Sequence, residues 1–191
     1  MAELDFDQLV LRYCRQIILK TMDHVRGAMR GQNRLHLKQA VADPQLHKSA
    51  QNLTKAVDRD AEDLILDALQ FKFLKLPGVK AYTVFSEELG IKTFPEGASE
   101  SDADLVVFID PIDGTEFIEA LQGGWSLIAV YDRRKNEVIA AVAGGVPVNI
   151  LQNNGLNEFT TVVTSAGVTQ TSVNPELVPG SVNRIRIANP G

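Results

Sequence analysis

The chain has 191 residues, 45% of them hydrophobic, and 19 Lys and Arg against 24 Asp and Glu give a net charge of −5. That is enough for one packed domain. The acidic balance argues against a nucleic-acid polymer as partner, while leaving a nucleotide-sized ligand open. No apolar run approaches the roughly 18 residues of a membrane-spanning helix, so no membrane partner is expected. Residues 1–8 are acidic and lack the basic-then-apolar order of a secretory signal. The single cysteine, Cys14, permits no intrachain disulfide, which places the chain in a reducing, cytoplasmic setting.

In chain order, the first periodicity runs through Leu9, Val10, Tyr13, Ile17, Ile18, Met22 and Val25, the spacing of a helix with one apolar face. Cys14 lies beside that face and reads as a small buried hydrophobe. Gly27 and Gly31 are expected to end the helix. Residues 30–51 are polar, basic and weakly patterned, a long loop in which His36 and His47 lack zinc-ligand spacing. A second amphipathic helix is predicted over 57–73, with Ala61, Leu64, Ile65, Ala68 and Leu69 inward and Pro77-Gly78 as its stop. Strands follow at 81–85 and 105–109, the latter fully buried, with 90–103 as a polar connection. Residues 125–131 and 138–142 form a hairpin around 132–136, where Arg133-Arg134-Lys135 reads as a solvated tip. Short strands at 159–163 and 185–188 flank turns at Asn153-Asn154-Gly155 and Pro179-Gly180. Two helices followed by mainly antiparallel strands predict an α+β fold, the helices layered on a sheet.

Acidic residues stand at three telling places. Asp110, Asp113 and Thr115 follow the strand 105–109; Glu87 and Glu88 follow the strand 81–85; Asp58 opens the second helix. Residues just past strand ends share one edge of a sheet and so can share a site. A carboxylate after Val-Val-Phe-Ile is costly to leave ionised in a buried strand, and a hard divalent cation, magnesium above all, relieves that cost. Pro111 fixes a turn that lets Asp110 and Asp113 point to one place while the Ile112 carbonyl turns inward. Gly114 lets backbone approach a ligand. Its amide and that of Thr115, opening a helix at 116–121, would form an anion site for phosphate. Two cations held this way would activate water and stabilise a leaving alkoxide.

The segment Asp110-Pro111-Ile112-Asp113-Gly114-Thr115 is the intact signature of the inositol monophosphatase superfamily, which the chain resembles: magnesium-dependent, lithium-sensitive phosphatases that include fructose-1,6-bisphosphatases and 3′-phosphoadenosine nucleotidases. The family's Gly-Glu-Glu is similar to Ser86-Glu87-Glu88, with serine for glycine, and 52–58 resembles the segment carrying the family's first acidic residue. The resemblance implies a sugar-phosphatase-type layered α/β sandwich and hydrolysis of a small phosphate monoester such as inositol monophosphate or a sugar phosphate. A 3′(2′),5′-bisphosphate nucleotidase is one alternative and a non-catalytic metal-binding half-domain another. It implies two to three Mg2+ ions, with Mn2+ or Ca2+ able to substitute in binding. Glu87, Asp110 and the Ile112 carbonyl would hold the first ion, Asp110 and Asp113 the second, and Glu87 would help with a third. Asp58 and Thr115 would activate the attacking water, Glu87 serving the same catalytic centre, and Asp113, Gly114 and Thr115 would face the phosphate. The segment 30–51 would correspond to a mobile loop near the metals. The family's Trp-Asp motif has no counterpart, since Trp125 is followed by serine. Residues 1–191 are therefore expected to be the N-terminal metal-binding domain, without the second domain, and to form a homodimer.

Overall fold

The computed structural model describes residues 5–30, 56–114, 124–146, 159–164, 167–172 and 186–187. The predicted segments 30–51 and 116–121, His36, His47, the turns at 153–155 and 179–180, and Thr115 lie outside the described residues.

Among the described residues, two helices, α1 (Phe6–Arg30) and α2 (Ala56–Phe73), lie on one face of an eight-stranded sheet ordered β2-β1-β3-β4-β5-β6-β7-β8. The strands are β1 (Tyr82–Ser86), β2 (Gly90–Phe94), β3 (Leu105–Asp113), β4 (Gly124–Asp132), β5 (Glu137–Val146), β6 (Phe159–Thr164), β7 (Gly167–Ser172) and β8 (Arg186–Ile187). Every neighbouring pair is antiparallel except β1 and β3, which run parallel. The expected α+β layering is what the chain adopts. The parallel pair matters most for the site, because it brings two carboxyl-terminal strand ends to the same edge.

Helix α1 presents Val10, Cys14, Ile17, Ile18, Met22 and Val25 to the core. It runs through Gly27 to Arg30; Gly31, the other expected end, lies outside the described residues. Gly27 does not take a left-handed conformation, so it costs helix propensity only, about 1 kcal/mol relative to alanine. At Gly144 of β5 the helix comes so close that an added Cβ would lie 2.1 Å from Met22 Sδ and 2.4 Å from Ile18 Cγ2. Helix α2 buries Ala61, Ile65, Leu66, Leu69 and Phe73, and with them two carboxylates, Asp58 and Glu62.

The connection expected over 90–103 holds two elements. Residues Gly90–Phe94 double back on β1, and a single 3-10 turn spans Glu100–Asp102. The hairpin went unread because only Phe94 of β2 is buried, so the strand has no full period-2 apolar face. Tyr82 binds it to the core, stacked on Phe94 at 5.1 Å and tilted against Phe73 at 5.6 Å. A strand at Gly167–Ser172 was also not expected; apart from Val168 it is small and polar.

Strand β3 was expected to be fully buried over 105–109; it is buried at Leu105 to Val107 and at Ile109 but not throughout. Leu105, Val107 and Ile109 face the helices, but Phe108 is 48% exposed on the opposite face, where it stacks on Phe85 at 5.3 Å. The Arg133-Arg134-Lys135 run does form a turn, but it is anchored as well as solvated. Arg134 bonds Asp132 and the Gly78 carbonyl, and Lys135 reaches Asp7 on α1 at 2.7 Å. Among the described residues no helix is long and apolar enough to cross a membrane.

Candidate active site

The site is built at the edge where β1 and β3 end side by side. In their parallel register Tyr82 pairs with Leu105 and Ser86 with Ile109. Partners in register share a face, so Ser86, like Ile109, looks toward the helices. One residue on, Glu87 opens the turn that follows β1 and Asp110 continues β3, and the two carboxyls meet in a hydrogen bond. The Glu87 amide donates to the Ile109 carbonyl at 3.4 Å, which ties the two ends together.

The signature continues the strand instead of following it. Asp110 pairs with Leu127 and Asp113 with Trp125 across β4, three residues against two. The extra residue is a β-bulge, and it reverses the normal alternation. Without it, Asp110 and Asp113 would point to opposite faces; with it they share one. Ile112 is buried, and Gly114 has φ +81°, the left-handed conformation that glycine adopts freely. The turn that Pro111 was expected to make is thus a bulge, with the same consequence for the two aspartates.

Asp58, at the start of α2, is buried. It completes a group of acids whose electrostatics are visible at Asp110. That carboxyl is pushed up to about 7, first by burial, then by the charges of Glu87 and Asp113, a hydrogen bond with Glu87, and the charge of Asp58. Three of the sequence-predicted side chains, Asp58, Glu87 and Asp113, therefore lie within electrostatic reach of a fourth, Asp110. Thr115 lies outside the described residues.

Among the described residues no three acidic, histidine or cysteine side chains converge as a ready cation cage. The donor set nevertheless fits magnesium. It consists of hard carboxylate oxygens, and the mutual repulsion that raises Asp110 is the cost a divalent cation lowers.

Two buried acids were not singled out for a role of their own. Glu88, the second acid after β1, is 3% exposed. Glu62 is fully buried, one helical turn beyond Asp58, and accepts both the Ser86 hydroxyl and, at 3.1 Å, the Leu89 amide. Burial raises its carboxyl, and the negative charge of Glu88 adds to this; bonds from Ser86 and Leu89 and the charge of Arg59 offset only part. A signal existed for Glu62: it falls inside the apolar stripe Ala61, Ile65, Leu69, where an acid is out of place unless partnered.

The structure is similar to that of Leishmania major fructose-1,6-bisphosphatase in holo form, with TM-score 0.62 and 13% identity over 92% of this chain and 52% of that one. It is also similar to the extragenic suppressor protein suhB from Bartonella henselae, with TM-score 0.55 and 17% identity over 84% of this chain and 50% of that one. The chain thus spans about half the length of these solved structures. No curated protein matches it in sequence. The sequence pattern of the inositol monophosphatase family matches residues 8–181, and the chain belongs to that family.

Proposed function

We propose that this chain is the metal-binding domain of a Mg2+-dependent phosphomonoesterase acting on a small phosphate monoester such as inositol monophosphate or a sugar phosphate. The observation that carries this reading is the burial of Asp110 together with the nearby charges of Glu87, Asp113 and Asp58, which push that carboxyl up to about 7. Glu87, Asp110, Asp113 and the Ile112 carbonyl would hold the cations. Bound there, magnesium supplies Lewis-acid polarisation of the phosphoryl group and a lowered pKa for the attacking water. Asp58, buried at the mouth of α2, would take the proton from that water, with Thr115 as its partner. The Gly114 backbone, free of a Cβ, leaves room for phosphate oxygens beside its amide. A cytoplasmic homodimer belongs to the same reading. The exposed Phe108 and Trp125, 48% and 42% accessible on the face turned away from α1 and α2, support an assembly that covers them.

The test is phosphate release from inositol monophosphates, sugar phosphates and 3′-phosphorylated nucleotides, with magnesium and with added lithium, alongside thermal melts. Magnesium at about 100 times its dissociation constant should add about 2.7 kcal/mol of stability by mass action, and Asp110→Asn should abolish that gain. Asp58→Asn should lower turnover by about 10²–10⁴-fold, the range for a lost general base, while leaving substrate binding nearly intact. Magnesium stabilisation without phosphate release from any substrate would leave a non-catalytic metal-binding half. Turnover indifferent to magnesium, lithium and both substitutions would overturn the reading.

A further inference from the structure

The carboxylates of the site come from strand ends, and strand ends are held only as firmly as the turns that follow them. Residues 87–89 form the turn between β1 and β2, closed by the Ser86–Gly90 pair. Glu87 is its first residue. From the helix side Glu62 grips this turn: its Oε1 accepts the Ser86 hydroxyl and the Leu89 amide, the first and last links of the turn. Ser86 Oγ in turn accepts the Glu88 amide at 3.2 Å and the Leu89 amide at 3.5 Å. Glu87 directly follows Ser86 inside this bonded turn, so the bonds that fix Ser86 and Leu89 also fix the backbone from which Glu87 projects.

We propose that Glu62, acting through Ser86, is a positioning residue that aims Glu87 at the cation site; this inference rests on the reading of that site as a magnesium site. Two features speak for more than a structural role. A fully buried carboxylate is costly to retain, and the other oxygen of Glu62, Oε2, is buried with no hydrogen-bond partner among the described residues. A fold needing only to fill this position would be better served by an apolar side chain. The second feature is the place of Ser86, the last residue of β1 and the one directly before Glu87. Here the serine supplies the hydroxyl that links the helix to the turn. Glu62 and Asp58 also lie one turn apart on α2, so a single helix face would supply the base and orient the ligand.

The experiment is titration calorimetry of the full chain with Mg2+ alone, together with the metal-free melting temperature, for wild type, Glu62→Leu, Glu62→Gln and Ser86→Ala. Glu62→Leu and Ser86→Ala should weaken magnesium binding by about tenfold or more, the scale for residues that orient metal ligands. Glu62→Gln, whose amide oxygen can still accept both bonds, should stay within about threefold of wild type. A purely structural role would lower the melting temperature and leave magnesium affinity unchanged. Wild-type affinity in both Glu62→Leu and Ser86→Ala would overturn this inference while leaving the site itself standing. Absence of magnesium binding by the wild type would overturn both. Should Glu62→Leu fail to fold, Ser86→Ala decides alone.

Discussion

Asp132→Asn tests whether the hairpin between β4 and β5 is held by a buried charge. The Asp132 side chain is fully buried, and it accepts four bonds from the turn it precedes: from the Arg134 amide at 2.8 Å, Arg134 Nε at 3.0 Å, Arg134 Nη2 at 2.8 Å and the Lys135 amide at 3.4 Å. Arg134 also bonds the Gly78 carbonyl at 3.2 Å and lies over the Phe6 ring at 5.1 Å. The turn thereby joins the start of α1 to the exit of α2. Asparagine keeps Oδ1 but sets an NH2 group against Arg134 Nη2. Hydrogen bonds to charged groups contribute about 1.5–3 kcal/mol each. Because the Arg134 side chain is 40% exposed, water recovers part of its loss. The expected destabilisation is about 2 kcal/mol, or roughly 4–8 °C in melting temperature for a chain of this size.

The pH dependence has a definite sign. Burial alone would raise the Asp132 carboxyl, but bonds from the Arg134 side chain and backbone, the Arg134 charge and the Lys135 amide outweigh it and hold the group below its ordinary value. A depressed carboxyl contributes stability that is present above the unfolded value, about 3.9, and lost as pH falls through the folded one. Urea unfolding at about pH 7.5, 5.5 and 3 should therefore show a constant gap between wild type and variant at the first two and a smaller one at the third. A neutral-pH gap under about 0.5 kcal/mol, within the range of an ordinary surface substitution, would refute the buried clasp. So would a gap that widens in acid.

Two further outcomes follow from packing. Gly144→Ala should destabilise by about 1–3 kcal/mol through overpacking, since the new methyl meets Ile18 Cγ2 at 2.4 Å as well as the more flexible Met22; a melting temperature equal to wild type would show that α1 shifts freely. The Cys14 thiol is pushed up to about 12 by burial. It should resist thiol reagents at neutral pH and react only as fast as the chain opens, an expectation that immediate stoichiometric labelling of the native protein would contradict.

The residues of the candidate site could be chosen from the sequence because their signal is local. The hexapeptide Asp110 to Thr115, the acid pair at Glu87 and Glu88, and the acid opening α2 each sit where an apolar periodicity begins or ends, so type and place are read together. The two helices were legible for the same reason: Val10, Ile17, Ile65 and Leu69 repeat at helical spacing whatever they pack against. Strand β2 was not, because Ile91 is 58% exposed and only Phe94 is buried.

What tertiary structure alone decided is direction. That Asp110 and Asp113 share a face depends on one extra residue in β3 relative to β4, a count that belongs to the pairing of two strands and to neither strand by itself. That Glu87 lies beside Asp110 depends on β1 running parallel to β3 although β2 intervenes in sequence. That Glu62 grips the turn behind Glu87 depends on the height at which α2 docks over the ends of those strands. The sequence by itself determined which residues could do chemistry, since that is a property of side chains and their neighbours along the chain. Which of them face one another is a property of register, set by hydrogen bonds between segments far apart in sequence.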